Sequence, residues 1–365
     1  MTTHDNSKIT YPRRKLFGKT MGVAAATAAM LFSTASWAES VTVASWGGAY
    51  QAAQSAALFV PGAKKMGITV IEETFGGMTD VRLKVKAGAV EWDLVVSGAT
   101  GAARAGAEGI LVPIDYSIVD VSTFYPGMYT DYCVGSDVYS LVAAWNTETF
   151  GENGPQTWAD FWDVKKFPGT RALRNKFSGN VEAALMADGV PRDKIYEVLS
   201  TEAGLERAIN KIRELKPHIA VWWKSGAQHA QLMKDGEVDM TSGWNGRFDV
   251  AKKDGAQVSY TFEDGLLDFD CFAIPKGAPN EALAMKFLAM ISTAEMQANL
   301  PTYITYGPAN KAAYGLGKID DALARSLPSH PDNAAKQLAT SEESLKWYQN
   351  YDKKASALFQ DMLTE

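Results

Sequence analysis

Few side chains in this chain are able to carry covalent or metal chemistry. Its four histidines are His4, His218, His229 and His330, and its two cysteines are Cys133 and Cys271. Nucleophilic catalysis needs a base positioned beside a serine, cysteine or threonine. His229 sits in Gln228-His229-Ala230-Gln231, a helical context with no such motif, and reads as a packing or surface histidine. No G-x-S-x-G, HExxH or metal-spaced Cys/His cluster occurs, and no cofactor is implied. Carboxylate pairs of the glycosidase kind depend on proximity in space and stay open at this level. The clearest chemical signal is electrostatic. Trp244-Asn245-Gly246-Arg247 puts a guanidinium three residues past the end of an extended run. The stretch from Arg171 to Asn180 adds Arg174 and Lys176 and contains no acid at all. Guanidinium is the side chain best shaped for bidentate recognition of carboxylate or phosphate. The chemistry this favours is the binding of an anionic group.

The elements that would hold these residues alternate. Val41–Trp46 is a β-branched run that stops at Gly47-Gly48, and a helical pattern from Ala49 to Phe59 ends before Pro61-Gly62. Ile68–Glu73 is a second strand reaching Gly76-Gly77, followed by a helix from Asp80 to Ala87. Trp92–Val96 is a third, closed by Ser97-Gly98. This spacing predicts parallel βαβ units and an α/β fold. Ligands of open parallel sheets bind beyond the carboxyl ends of the strands, so Trp46, Gly76-Gly77 and Ser97-Gly98 mark one rim. An extended piece from Val138 to Trp145 follows. A second α/β stretch then begins at Thr157 and carries strands at Ile219–Trp223 and Val238–Trp244. Helices dominate after Asn280, interrupted at Gly307-Pro308.

Residues 1–38 read as an export signal. Arg13-Arg14-Lys15 precedes a weakly apolar run that ends in Ser36-Trp37-Ala38, a small-x-small cleavage site. The arginine pair with Leu16-Phe17 resembles a twin-arginine signal, with an ordinary secretory route as the alternative. Both predict work in the periplasm. The chain has 365 residues and a net charge of −6; removing residues 1–38 takes away five basic groups and one acid, leaving −10. That acidity argues against nucleic acid and anionic lipid as partners. The remaining length suits two lobes better than one core. In an oxidising compartment Cys133 and Cys271 are either two buried thiols or one disulfide.

In their order and spacing, several stretches resemble the spermidine/putrescine-type solute-binding proteins of ABC importers. They are Ser45–Tyr50, Trp92–Gly98, Gly236-Glu237-Val238, Trp244–Arg247, Ile274–Asn280 and Gly307–Asn310. The resemblance covers about Val41 to Ala313. It implies the type II periplasmic-binding-protein fold, two α/β lobes joined by crossover hinge strands that close on a ligand. Residues 39–133 with 271–315 would form lobe 1, and 134–270 with 316–365 lobe 2. It implies a monomer that delivers a small charged organic solute to an ABC permease. Cys133 and Cys271 would lie beside the two crossings, which favours a disulfide. Trp46 and Trp244 would be aromatic walls, Ser97 and Gly98 polar contacts, and Asp270 the holder of an ammonium. Tyr50 and Tyr306 are further ligand candidates. Asp268 stands where the family places a stacking aromatic.

The departures redirect the ligand class. Polyamine binders carry acids in the region of Arg171–Asn180, because each buried ammonium demands a carboxylate. Here that region is basic, and Arg247 faces the same cleft. An anion or zwitterion is therefore expected, with Arg247 and Lys176 or Arg174 at one end and Asp270 at the other. An opine, a γ-aminobutyrate-like solute or an amino-acid derivative fits this layout. Arg247 paired internally with Asp249 or Asp268 is the competing reading. A polyamine ligand, a ferric ion held by tyrosines such as Tyr303, Tyr306, Tyr348 and Tyr351, and an exported enzyme are the alternatives in class.

Overall fold

The computed structural model describes residues 39–365; the expected export signal, residues 1–38, lies outside them. Twelve strands form one curled sheet. They are β1 (Ser40–Ser45), β2 (Thr69–Thr74), β3 (Leu94–Gly98), β4 (Tyr129–Thr130), β5 (Cys133–Asn146) and β6 (Arg171–Arg174). Then come β7 (Ile219–Trp223), β8 (Met240–Trp244), β9 (Val258–Tyr260), β10 (Leu266–Ala273), β11 (Gly307–Pro308) and β12 (Leu338–Ala339). The main path runs β2-β1-β3-β10-β5-β8-β6-β7. Its two ends, β2-β1-β3 and β8-β6-β7, are parallel. The long strands β10 and β5 join them in antiparallel pairing.

Each parallel set has its own apolar packing. Val41, Val43, Leu58, Phe59, Phe272 and Phe287 lie in one cluster. Trp158, Phe161, Leu173, Leu185 and Ile212 lie in another, with Trp347 and Phe359 of the helix Glu342–Thr364 packed among them. Local rules account for many of the boundaries. The Thr157 hydroxyl caps its helix by accepting from the Asp160 N–H at 3.1 Å, and Thr201 caps Glu202–Leu215 by accepting from the Gly204 N–H at 3.0 Å. That helix buries Leu205, Ala208, Ile209, Ile212 and Leu215, the stripe an amphipathic helix presents to a core. Pro61 does not end the first helix. Gly48–Gln54 passes through a π-helical turn, Ser55–Phe59, into Val60–Met66. Pro61 thus opens a resumed helical segment, where its missing N–H is tolerated. Cys133 at the start of β5 and Cys271 in β10 are joined as a disulfide, with Cα atoms 5.6 Å apart. No helix among the described residues is long and apolar enough to cross a membrane.

Candidate functional site

The carboxyl ends of the parallel strands and the two crossover strands converge on one set of polar and aromatic groups. Trp46 follows β1, Gly98 ends β3, Arg174 ends β6, Trp223 ends β7 and Trp244 ends β8. Arg247 is the third residue of the helix Asn245–Lys253 that leaves β8. Strand β5 contributes Asp137 and Tyr139, and β10 contributes Asp268 and Asp270. In register, Asp268 faces Tyr139, Asp270 faces Asp137, and Asp270 also faces Gly98 of β3. The period of two in a strand puts both members of each pair on one face.

The cationic side is built around Trp244. Arg174 holds its Cζ 5.1 Å from the Trp244 ring and 5.8 Å from the Trp223 ring. Arg247 is 5% exposed, with its Cζ 5.9 Å from Trp244 and 5.7 Å from Tyr50. Its Nη1 donates to the Gly47 carbonyl at 3.3 Å. Among the described residues, neither guanidinium has a carboxylate within ion-pair distance. The acids considered as internal partners for Arg247 are engaged elsewhere. Asp249 accepts from the Tyr260 hydroxyl at 2.8 Å, and Asp268 from Thr340 Oγ1 at 2.7 Å, the Phe269 N–H at 2.9 Å and Tyr139 at 3.3 Å. Burial pulls the Arg174 guanidinium below its ordinary value, while Tyr139, Tyr348, Asp270 and Asp268 favour its charge. Arg171 is structural: it donates to the carbonyls of Phe161, Gly169 and Phe167 at 2.8, 2.8 and 2.6 Å. Lys176 is exposed in an otherwise largely buried segment beyond β6. The neighbouring Arg174 charge, ahead of desolvation, lowers its ammonium to about 8.

His229 lies beneath this wall. It is fully buried against Trp223, Trp244 and Phe248, and its Nε2 accepts from the Trp244 N–H at 3.4 Å. Burial, then Arg247 and Arg174, hold its pKa well below the usual histidine range. It is a neutral packing residue that supports the Trp244 ring.

The acidic side centres on Asp270. The Trp46 indole N–H donates to its Oδ2 at 3.0 Å, and Trp46 stacks on Phe75 with centroids 5.0 Å apart. The indole edge occupies the space beside Gly77, whose φ is +109°; a Cβ there would lie 3.2 Å from the ring. Asp137 is fully buried and accepts from Tyr50 and Ser136 hydroxyls, both at 2.6 Å. Its Oδ1 has no hydrogen-bond partner among the described residues. Burial pushes the Asp137 carboxyl up to about 7, against the pull of Ser136, Tyr50 and Arg247. Burial, then the charges of Asp137 and Asp268, raise Asp270 well above the carboxylate range. Tyr306 packs its ring between Tyr50, at 5.5 Å, and Tyr139, at 5.7 Å.

Of the residues singled out in the sequence, Trp46, Tyr50, Gly98, Trp244, Arg247, Asp268, Asp270 and Tyr306 are brought together by these contacts. Ser97 turns away: its buried hydroxyl donates to the Gly98 carbonyl at 3.0 Å and lies near Gly101. Asp268 is a fastener holding Tyr139 and Thr340. Asp137 escaped the sequence reading, and Arg174 appeared there only as an option beside Lys176. The signal for Asp137 was available: a carboxylate inside a buried extended run, two positions before Tyr139. The tyrosines weighed as iron ligands separate. Tyr348 donates to Glu182 at 2.5 Å, Tyr351 to the Ser200 carbonyl at 2.8 Å, and Tyr303 is exposed. Glu263 and Asp264 face Arg192, at 4.0 and 3.8 Å.

Comparison with known proteins gives one picture. Residues 57–325 match the family model described as bacterial extracellular solute-binding protein. The chain is 37% identical over 297 residues to the gamma-aminobutyric acid-binding protein of Pseudomonas aeruginosa, covering 81% of this chain and 83% of that one. It is similar to the crystal structure of MotA from A. tumefaciens B6 in complex with glucopine, at 45% identity and a TM-score of 0.85, covering 88% of this chain and 99% of that one. It is also similar to AgtB from A. tumefaciens R10 in complex with agropinic acid, at 34% identity and a TM-score of 0.82, covering 90% and 99%.

Proposed function

We propose that this chain, which belongs to the bacterial extracellular solute-binding protein family, captures a small zwitterionic or carboxylate-bearing organic solute for an ABC importer. The observation that carries this reading is the pair of guanidinia, Arg174 and Arg247, set around Trp244 with no carboxylate of the described residues within ion-pair distance. Each guanidinium is withdrawn from water without an ion-pair partner, and a ligand carboxylate offsets that desolvation while accepting charge-assisted hydrogen bonds. Asp270, 7% exposed and tethered by Trp46, supplies the opposite charge at the other end. A ligand ammonium placed there leaves the carbon skeleton against Trp46 and Trp244. The gamma-aminobutyrate, glucopine and agropinic acid bound by the related proteins belong to the same carboxylate-bearing class, which supports this reading over a polyamine. A polyamine would bring further positive charge to Arg174 and Arg247.

The remaining parts of the reading follow from a binding role. The two parallel strand sets act as lobes hinged at β5 and β10, and a ligand that contacts both favours the shut form. The protein works in the periplasm as a monomer, after loss of residues 1–38. It hands its ligand unaltered to a permease and performs no reaction on it. A thermal-shift screen of residues 39–365 against γ-aminobutyrate, opines, dicarboxylates, amino acids and polyamines tests the ligand class. Stabilisation by a carboxylate-bearing solute and none by putrescine is the expected pattern. Stabilisation by putrescine or spermidine alone would overturn it.

A further inference from the structure

The Asp137–Asp270 pair has a feature that solute capture by itself does not require. Two carboxylates face each other on adjacent antiparallel strands, fully buried and 7% exposed. No Lys, Arg or His among the described residues pairs with either. Like charges in directly opposed positions are destabilising, and a buried uncompensated charge is more so. The surroundings confirm how little neutralises them. From the helix Gly48–Gln54, the Tyr50 hydroxyl donates to Asp137; from β5, Ser136 donates to Asp137 and Tyr139 stands further along the same face. Trp46 donates to Asp270. On β10, Asp268 adds a third carboxyl, already held by Thr340, Phe269 and Tyr139. Strand β11 brings only Gly307-Pro308 against Asp137. Arg247 acts on Asp137 and Arg174 on Asp270 as charges without reaching ion-pair distance, the Tyr50 hydroxyl also favours the charged form of Asp270, and the buried Tyr306 faces both carboxyls as a neutral phenol. The opposed register sets the two carboxyls where one proton can serve both, and Asp137 Oδ1 is the oxygen that no other donor occupies.

We infer that Asp137 and Asp270 share one proton in the ligand-free protein and release it when a ligand ammonium enters, so that Asp137 is a second determinant of specificity for amine-bearing solutes. This rests on the proposed function, because it needs an ammonium at the Asp270 end. An alkylammonium carries a full charge and three N–H donors. It can donate to both carboxylates at once, and its single charge takes the place of the shared proton, so the pair with its ligand keeps the net charge of −1 that it had before. The step is a simple acid–base exchange: the carboxyl O–H bond breaks, both aspartates become carboxylates, and the proton passes to the buffer. The ligand ammonium keeps its own protons, since alkylamines titrate near the lysine value of roughly 10.4.

Calorimetric titration at pH 6 tests this, using γ-aminobutyrate as the amine-bearing probe and glutarate as an ammonium-free one. The heats are compared across buffers of widely different ionisation enthalpy. About one proton released per γ-aminobutyrate bound, and none for glutarate, is the expected result. In Asp137→Asn the release should vanish and selectivity for γ-aminobutyrate over glutarate should weaken by 10-fold or more. No release from the natural protein, or an undiminished release from Asp137→Asn, would overturn the inference. Infrared titration of the ligand-free natural protein is independent of any ligand. A buried carboxylic acid persisting at pH 6 supports the shared proton, and its absence sinks it. If neither probe nor any other carboxylate binds, the proposed function fails, and the infrared result still decides the proton.

Discussion

Gly226 opens the helix Gly226–Lys234, and a Cβ built on it would lie 2.8 Å from Arg247 Nε, 2.9 Å from its Cζ and 2.9 Å from Trp244 Cζ3. The glycine therefore gives the guanidinium its place against the indole. Gly226→Ala leaves the backbone at ease, because the residue is helical and outside the left-handed region. The gain of about 0.4–1 kcal/mol from reduced unfolded-state entropy is offset by the close approach to the Trp244 ring, so Tm should stay near that of the natural protein. Trp244 cannot give way easily, being backed by Trp223 and His229 with centroids 5.2 Å away in both cases. The guanidinium must move instead. Hydrogen bonds to charged groups contribute about 1.5–3 kcal/mol, so loss of the oriented Arg247–carboxylate contact corresponds to a roughly 10- to 150-fold weaker Kd. Calorimetry with the carboxylate ligand from the screen, beside a scanning measurement of Tm, reads both effects. Gly315→Ala, where a Cβ would meet nothing within 4 Å, is the control: it should gain about 0.4–1 kcal/mol from reduced unfolded-state entropy and leave affinity unchanged. Natural affinity in Gly226→Ala with an unchanged or raised Tm would remove Arg247 from the ligand contacts.

Three further outcomes follow from the same geometry. Arg247→Ala should abolish detectable carboxylate binding while the protein stays folded, and Arg247→Lys should recover only part of it because a point charge lacks the planar fork; equal binding in all three proteins would contradict the assignment. The Asp137 carboxyl is raised in the folded protein from its ordinary 3.8 to about 7, so the native state binds the extra proton between those values. Its contribution to stability is therefore present below about pH 4 and is lost as pH rises through 7, by about 4 kcal/mol. Denaturant unfolding of the ligand-free protein should show this fall, and Asp137→Asn should flatten it; matching pH profiles would refute the burial argument. The disulfide closes a separation of 138 residues, for which loop-closure entropy gives a stabilisation of about 5 kcal/mol. Reduction, or Cys133→Ser with Cys271→Ser, should lower Tm, and thiol titration of the unfolded, unreduced protein should find no free thiol where two would contradict the bridge.

Much of the architecture could be read from local physics. Alternating β-branched runs and helical patterns mark βαβ units, because strand and helix periods are properties of short segments. The bounds of Ile219–Trp223 coincide in sequence and structure for that reason. The Thr157 cap, a contact between residues three apart, is local in the same sense and stands where the sequence opens its second α/β stretch. The strand exits at Trp46, Gly98 and Trp244 were legible, since the rule that ligands sit beyond carboxyl ends needs only strand direction. Pro61 shows the limit of such reading: whether a proline ends a helix or opens a resumed segment depends on a π-helical turn that composition does not announce.

The charges at the site belong to the tertiary structure. A basic stretch from Arg171 to Asn180 is visible in sequence, but its three cations have three fates. Arg171 is capped by carbonyls, Arg174 lies over Trp244, and Lys176 is exposed, because each sits at a different point of one short strand and its exit. Asp137 and Asp270 are 133 positions apart in the chain, and only the antiparallel register of β5 and β10 sets them face to face. Burial then raises both carboxyls, an effect with no counterpart in spacing or composition. The proposed class of ligand, carrying a carboxylate, was already implied by which residue types the chain has and lacks. Where its opposite charge would be met, and by how many carboxylates, was decided by how distant strands pair, since electrostatic energy depends on distance and desolvation.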